Sequence, residues 1–445
     1  MSWVNIISIR PTIKKALSNP LTRNMLIVGI ITLLIKVTAF YKETLIASSF
    51  GLGEILDTFL VAILVPTFIQ SVFMNSLRNI FIPNYITEMK NNGNKGSFQS
   101  IILIITMGIS VFSALLAFLT IDFFLEVVYP GHSESYYVLV KNQLYIVLPC
   151  LLFWGVNSVM GGLLEISDRY LIAHLYGFIP LITMIFFLFF LKDYFGELVL
   201  AFGTLVGTIL GFIYMLTTAK RHKVLLISKP VVNANAKLMI RQLPPKISSS
   251  FLSAMNNYID QFFAGQLIVG SIAALNYGNR LPAFGITIVI MALGSVLLPH
   301  FSRLVNEDLN AAYRHLFRSM KIVLLGGIVL VTIGIFLSDW LVELWLERNE
   351  FTHEDTLKVS AIQQILLVNV PFYLCTLIMV KFLTSINKNN FMAWISLANL
   401  VINLVLNIIL VKYYDVYGLA ASTSMVLIIS SGFYFGYTYR LYKKI

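Results

Sequence analysis

Residues 33–51 read LLIKVTAFYKETLIASSFG, a stretch apolar enough to enter a bilayer that nevertheless carries Lys36, Lys42 and Glu43. Basic residues precede it (Arg10, Lys14, Lys15, Arg23) and Ala47-Ser48-Ser49 offers a cleavage site, as in a secretory signal. A signal core, however, is short and uncharged. This segment is long and charged, so it reads as a retained transmembrane helix. The composition agrees: 58% of the 445 residues are hydrophobic and 12% are charged, where soluble domains carry about 25% charge. A mean hydropathy of +0.82 leaves more apolar surface than a soluble globule can hide.

Apolar runs recur along the whole chain, each long enough to cross a hydrocarbon layer of about 30 Å as a helix. Twelve are expected, centred on 25–49, 55–83, 98–121, 136–160, 170–191, 197–219, 247–267, 272–300, 319–341, 358–381, 390–411 and 417–439. Lys and Arg concentrate in alternate connections. The N-terminus, 84–97, 161–169, 220–246, 301–321, 381–388 and the C-terminus hold 23 of them; the remaining connections hold five, and include the acidic DWLVELWLERNEFTHED at 339–355. The positive-inside rule then places both termini in the cytoplasm. The net charge of +11 is on this reading a topology signal and a rim for anionic headgroups, not a nucleic-acid surface. Cys150 and Cys375 both lie in apolar runs, which leaves no disulfide framework and no metal or redox pair.

The chain divides near its middle. The longest inner connection, 220–246, contains KRHK and Pro244-Pro245, and the expected organisation is a first lobe over 1–225, a basic linker over 226–246 and a second lobe over 247–445. The halves also match in register. Pro66 and Pro83 stand 216 residues before Pro282 and Pro299, while Glu43, Ala47 and Gly53 stand 217 before Asp260, Ala264 and Gly270. With six helices in each half, the copies enter the membrane in the same direction. The expected fold is therefore an all-α polytopic membrane protein of two six-helix lobes in a parallel pseudo-two-fold repeat.

Once the loop charges are set aside, seven remain within the expected spans: Lys36, Lys42, Glu43, Asp57, Arg78, Asp260 and Arg280. A central charge costs about 2.5–3.5 kcal/mol to insert, against about 0.3–0.6 kcal/mol gained per large aliphatic residue or Phe. Three charges would cancel most of the gain of the first helix unless they face water or one another. Lys36 and Glu43 are seven residues apart and share one face of that helix. Two roles stay open together: Lys42, Glu43 and Asp57 as a charge network at a gate, and Lys36, Lys42 and Arg280 as cations turned toward an anionic substrate. In the second half Asp260 is the only acid deep in a span, Asn399, Asn403 and Asn407 recur every four residues along one stripe, and Thr423 follows on the last helix. A carboxylate, amides and a hydroxyl either join helices by hydrogen bonds or supply hard oxygen ligands for Na⁺ or a site for H⁺.

Five runs carry a wider resemblance: KETLIASSFGLGEILDTFLVAILVP (42–66), IFIPNYITEMKNNG (80–93), YPGH (129–132), NYIDQFFAGQLIVGSIAALNYGNRLP (257–282) and ALGSVLLPHFSRL (292–304). Together they resemble the MurJ/MviN family of lipid-linked cell-wall precursor flippases, relatives of Wzx-type polysaccharide flippases and MATE drug exporters. The resemblance implies a cationic cavity for the pyrophosphate and sugar headgroup of a polyprenyl-linked precursor, in the bacterial cytoplasmic membrane. It places Lys36, Lys42 and Arg280 at the cavity, Glu43 and Asp57 at its gate, and Asp260, Asn403, Asn407 and Thr423 at a cation site. Two departures stand out. Gln70-Ser71 occupies the place of a familiar arginine pair, for which Arg78, about 10 Å further along the same face, is the expected substitute. The sequence also stops after twelve helices, where lipid II flippases of this family carry two more.

Function follows as an expectation: a flippase without cofactor that moves a lipid-linked oligosaccharide by alternating access, driven by Na⁺, H⁺ or the membrane potential, with membrane lipids around it and a monomer as the expected state. A Wzx-like capsule or O-antigen flippase and a MATE-like cation-coupled exporter are the alternatives. The absence of a GxxxxGK[ST] loop leaves no ATP machinery, and a membrane enzyme is disfavoured because Glu88, Glu165, Asp168, Glu307 and Asp308 are scattered rather than clustered for Mg²⁺ and the six histidines lie apart.

Overall fold

A computed structural model describes residues 20–444, and every regular element among them is helical. In hydrocarbon no water can satisfy a peptide group, so each spanning segment must close its own hydrogen bonds. In chain order the helices are α1 (Pro20–Phe50), α2 (Glu54–Ile69), α3 (Asn75–Lys90), α4 (Lys95–Val128), α5 (Glu134–Val147), α6 (Cys150–Ile166), α7 (Tyr170–Leu175), α8 (Phe178–Phe190), α9 (Lys192–Phe195) and α10 (Val199–Arg221). There follow α11 (Ala234–Ala264), α12 (Ser271–Glu307), α13 (Leu309–Phe336), α14 (Ser338–Leu346), α15 (His353–Leu367), α16 (Val370–Ser385) and α17 (Asn389–Tyr442). Among the described residues, seven rods are long and apolar enough to span a bilayer, or eight with the bent pair α15–α16 taken as one. The twelve expected spans extend that set by α1, α11 and α12 and by dividing α17 at Asp415, where the backbone leaves helical geometry (φ 48°, ψ −132°).

Two features echo the sequence register. The matched Gly53 and Gly270 stand immediately before α2 and α12, which begin 217 residues apart, at Glu54 and Ser271. Ahead of the last helix of each half, Gly196 (φ 52°, ψ −125°) and Asp415 (φ 48°, ψ −132°) adopt the same left-handed, extended conformation. Glycine takes that conformation without strain; an aspartate does not. Pro66 lies inside α2, and a π-helical turn at Gln70–Met74 joins α2 to α3. The ring removes one intrahelical donor, and a wider turn takes up the local mismatch. Gln70 and Ser71, the departures from the familiar arginine pair, sit on that turn.

The chain forms two compact units. One comprises residues 20–45 of the described chain with Val65–Thr120 and Asn142–Ile247; the other comprises Ile46–Leu64, Ile121–Lys141 and the chain from Ser248 onward. The core of the first includes Phe81, Phe98, Ile102 and Leu163, and receives Ala236, Met239 and Leu243 from the start of α11. The stretch expected as a linker is thus non-helical only as far as Asn233. Beyond it, apolar residues at i, i+3 and i+7 pack a helix against the first-unit core. Buried Glu88 ties that connection down by accepting from the Asn233 and Asn235 amides, at 2.8 Å each. The core of the second unit gathers Phe301, Leu316, Met379 and Phe382.

Candidate functional site

Within the second unit, α11, α12, α15, α16 and both parts of α17 enclose a polar chamber of about 610 Å³. Asp260 lines it and is its only carboxylate among the described residues; Asn279, Asn399, Asn403 and Thr423 line it too. Asn407 donates to Asp260 Oδ1 at 2.7 Å and to Asn403 Oδ1 at 2.6 Å, and the Thr423 hydroxyl donates to Asp260 Oδ2. Four of the residues singled out in the sequence are therefore brought into one cluster. Their helical spacing delivers them: Asn399, Asn403 and Asn407 climb one face of α17, and the break at Asp415 folds Thr423 back beside them. Asn399 donates to Ser430 Oγ at 3.0 Å. The side-chain oxygens of Asn399 and Asn407 are buried and have no donor among the described residues. A buried acceptor without a donor is costly, and the Asn407 oxygen, next to the carboxylate that its amide nitrogen meets, is the one that a cation held there would satisfy. The donor set of carboxylate, amide oxygens and hydroxyl suits a hard monovalent ion. No cluster of three His, Cys, Asp or Glu that would hold a transition metal exists among the described residues.

A second arrangement joins the α1–α2 and α4–α5 turns to the α11–α12 and α14–α15 turns, again within the second unit. Asp57 is 1% exposed; Tyr136 donates to its Oδ2 at 3.3 Å, and the peptide N–H groups of Gly270 and Ala273 at the start of α12 face it. The positive end of a helix dipole stabilises a carboxylate placed there. Gly270 adopts φ +88°, and a Cβ on it would lie 2.4 Å from the Leu52 carbonyl oxygen, so only glycine permits this approach. His132 bonds the Gly265 carbonyl at 3.0 Å and stacks on Tyr136 at 4.2 Å. The Glu350 N–H donates to the Ser48 carbonyl at 3.3 Å and the Asn349 amide to Ser48 Oγ at 2.7 Å. Beside this joint, outside the spanning segments, the Thr356 hydroxyl and His353 hold the Glu347 carboxyl below the usual carboxylate range. Sequence reasoning singled out Asp57 and quoted YPGH, but missed Tyr136 and Asn349. Their one signal was position, in connections expected on the same side.

The cations fall into different situations. Lys36 is exposed on α1 and forms no ion pair among the described residues. Lys42 is half-buried and pairs with Glu43 at 2.9 Å. Arg78, expected to stand in for the missing arginines, pairs with Glu165 of α6 at 2.5 Å. Arg280 is exposed on α12, next to the chamber residue Asn279. Lys36 and Lys42 belong to the first unit and Arg280 to the second.

Comparisons with known proteins place this geometry. The sequence model of the family described as "Lipid II flippase MurJ" matches residues 46–444. A probable lipid II flippase MurJ from Buchnera aphidicola subsp. Schizaphis graminum is 25% identical over 433 residues, covering 95% of this chain and 83% of its own. Among solved structures, a lipid II flippase MurJ in an inward closed conformation superposes with a TM-score of 0.79 at 22% identity, over 93% of this chain and 87% of its own. A multidrug resistance MATE family transporter of the MOP superfamily, inward-facing, gives 0.75 at 15% identity over 93% and 98%. These two likenesses concern the fold. With the match running through nearly every described helix, the chain belongs to the lipid II flippase MurJ family.

Proposed function

We propose that this protein is a flippase that carries the headgroup of lipid II, or of a closely related polyprenyl-pyrophosphate-linked precursor, from the cytoplasmic to the outer leaflet of the bacterial inner membrane. Family membership supplies the class. The observation that carries the chemistry is Lys36: a cation on a spanning helix with no acid paired to it among the described residues is costly in lipid, and a phosphate-bearing guest would complete it. The resemblance gives Lys42 and Arg280, which belong to different units, the same kind of role, and lysine supplies charge without the bidentate grip of arginine.

The turns expected on the outer side are held together by Asp57, Gly270, Ser48 and Asn349. In this reading they form the closed outer gate, and the charge distribution sets both termini in the cytoplasm. Loading requires access from the inner side, and release requires the Asp57–α12 contact to break. The Asp260 cluster binds the coupling cation, Na⁺ or H⁺, and a cation that binds one conformation better than the other shifts the population between them. An enzymatic role finds little material, because Glu88 and Glu165 are committed to Asn233, Asn235 and Arg78. A MATE-like exporter is the second reading, favoured by Asp260, the chamber's one carboxylate among the described residues, and by the shared fold.

Complementation decides between them. The chain should restore growth to cells depleted of their lipid II flippase. Failure there, combined with rescue of a capsule-export mutant or with Asp260-dependent efflux of a lipophilic cation, would move the assignment to a different substrate.

A further inference from the structure

A groove of about 650 Å³ runs between α13, α16 and α17 in the second unit, apart from the polar chamber. Phe317, Leu324, Phe372 and Phe435 make its walls apolar. Its polar atoms are already engaged: Ser431 donates to the Phe372 carbonyl at 3.1 Å and the Cys375 thiol to the Met320 carbonyl at 3.6 Å. The interior therefore offers nothing to a polar headgroup. The mouth differs. Lys321 lines it, is exposed and forms no ion pair among the described residues. Tyr439 lines it as well, with the Lys443 ammonium 4.9 Å over its ring.

Gly432 keeps the groove open. Glycine weakens a helix interior, and membrane helices usually accept it where another helix packs closely. Here no helix does: a Cβ at Gly432 would meet nothing within 4 Å. An apolar trough with a lysine on its rim and a second lysine over one of its tyrosines matches one acyl chain below a negatively charged phosphate. Arg314, which pairs with Asp308 at 3.6 Å, Arg318, Arg440 and Lys444 flank the groove residues in sequence, the charge expected at the cytoplasmic leaflet, where anionic lipids concentrate.

We infer that the groove between α13, α16 and α17 holds an acyl chain of an anionic phospholipid from the cytoplasmic leaflet, with Lys321 at its mouth meeting the phosphate. The site is separate from the transport chamber and independent of which headgroup is carried. The test uses the delipidated, purified full chain titrated with dioleoyl-phosphatidylglycerol and, in parallel, dioleoyl-phosphatidylcholine, with bound lipid counted by native mass spectrometry. Wild type should hold one phosphatidylglycerol about fivefold more tightly than phosphatidylcholine, as one added ion pair implies. Gly432→Phe should remove that adduct by filling the trough. Lys321→Glu, a surface change that leaves the trough intact, should abolish the preference while retaining weak binding of both lipids. Equal binding of the two lipids by wild type would overturn the inference, as would unchanged phosphatidylglycerol binding in both variants. Displacement of phosphatidylglycerol by a polyprenyl phosphate at lower concentration would also overturn it, naming the substrate's tail as the occupant instead.

Discussion

Asp260 shows how a single carboxylate becomes useful inside a membrane. Its two oxygens accept from Asn407 and Thr423, so the acid is positioned without a basic partner among the described residues, where the Asn407 side-chain oxygen also has no donor. Asp260→Asn keeps the size, removes the charge and replaces one of the two acceptor oxygens by a donor amide. With Na⁺ as the coupling ion, NaCl should stabilise wild type over choline chloride and the gain should vanish in that variant, while headgroup translocation should fall about tenfold or more, the equivalent of about 1.4 kcal/mol. A variant that still responds to Na⁺ and still transports at the wild-type rate would remove the coupling role. The amide stripe was legible in the sequence because helical period fixes which face residues i and i+4 share. The Arg78–Glu165 pair was not: its partners are 87 residues apart, and no local pattern states which helices become neighbours. Arg78 consequently looked available as a substitute phosphate ligand, whereas its guanidinium already meets an acid.

Among the elements, α17 is the most informative. It would run as one rod of 54 residues were it not for Asp415, whose φ of 48° and ψ of −132° interrupt it. Gly196 does the same work ahead of α10 with the residue best suited to it. Asp415 is exposed, and its side chain makes no hydrogen bond or ion pair among the described residues. Asp415→Gly should therefore relieve strain of about 1–3 kcal/mol and raise the midpoint of thermal unfolding with transport unchanged; a lowered midpoint would show that the aspartate does something the backbone angles do not reveal. Helix starts at Glu54 and Ser271 were readable from Gly53 and Gly270, because glycine before an apolar run marks a turn. The start of α11 was harder to read. Pro244-Pro245 suggested a break, yet Ala236, Met239 and Leu243 already showed the spacing of a buried helical face, and burial in the first-unit core outweighs the lost donors.

For the molecule as a whole, charge decides what the fold is for. Composition alone required a membrane protein, and the helical segments follow from the need to satisfy backbone groups in lipid. Residues from connections expected outside or their borders pair in the second unit, His132 with Gly265 and Ser48 with Asn349 and Glu350, while in the first Ser228 donates to Asn94 and Asn233 to Glu88. What sequence could not supply is the state of each cation, since Lys42 and Glu43 satisfy one another at 2.9 Å while Lys36 has no such partner among the described residues. The central claim is that cations on the spanning helices hold a phosphate-bearing headgroup during its passage. Its most direct test is translocation of fluorescent lipid II by the purified chain in liposomes, comparing wild type with Lys36→Ala and Arg280→Ala at matched folded protein. Each substitution should slow translocation by about tenfold or more, as loss of one desolvated phosphate contact implies; wild-type rates in both variants would contradict the account.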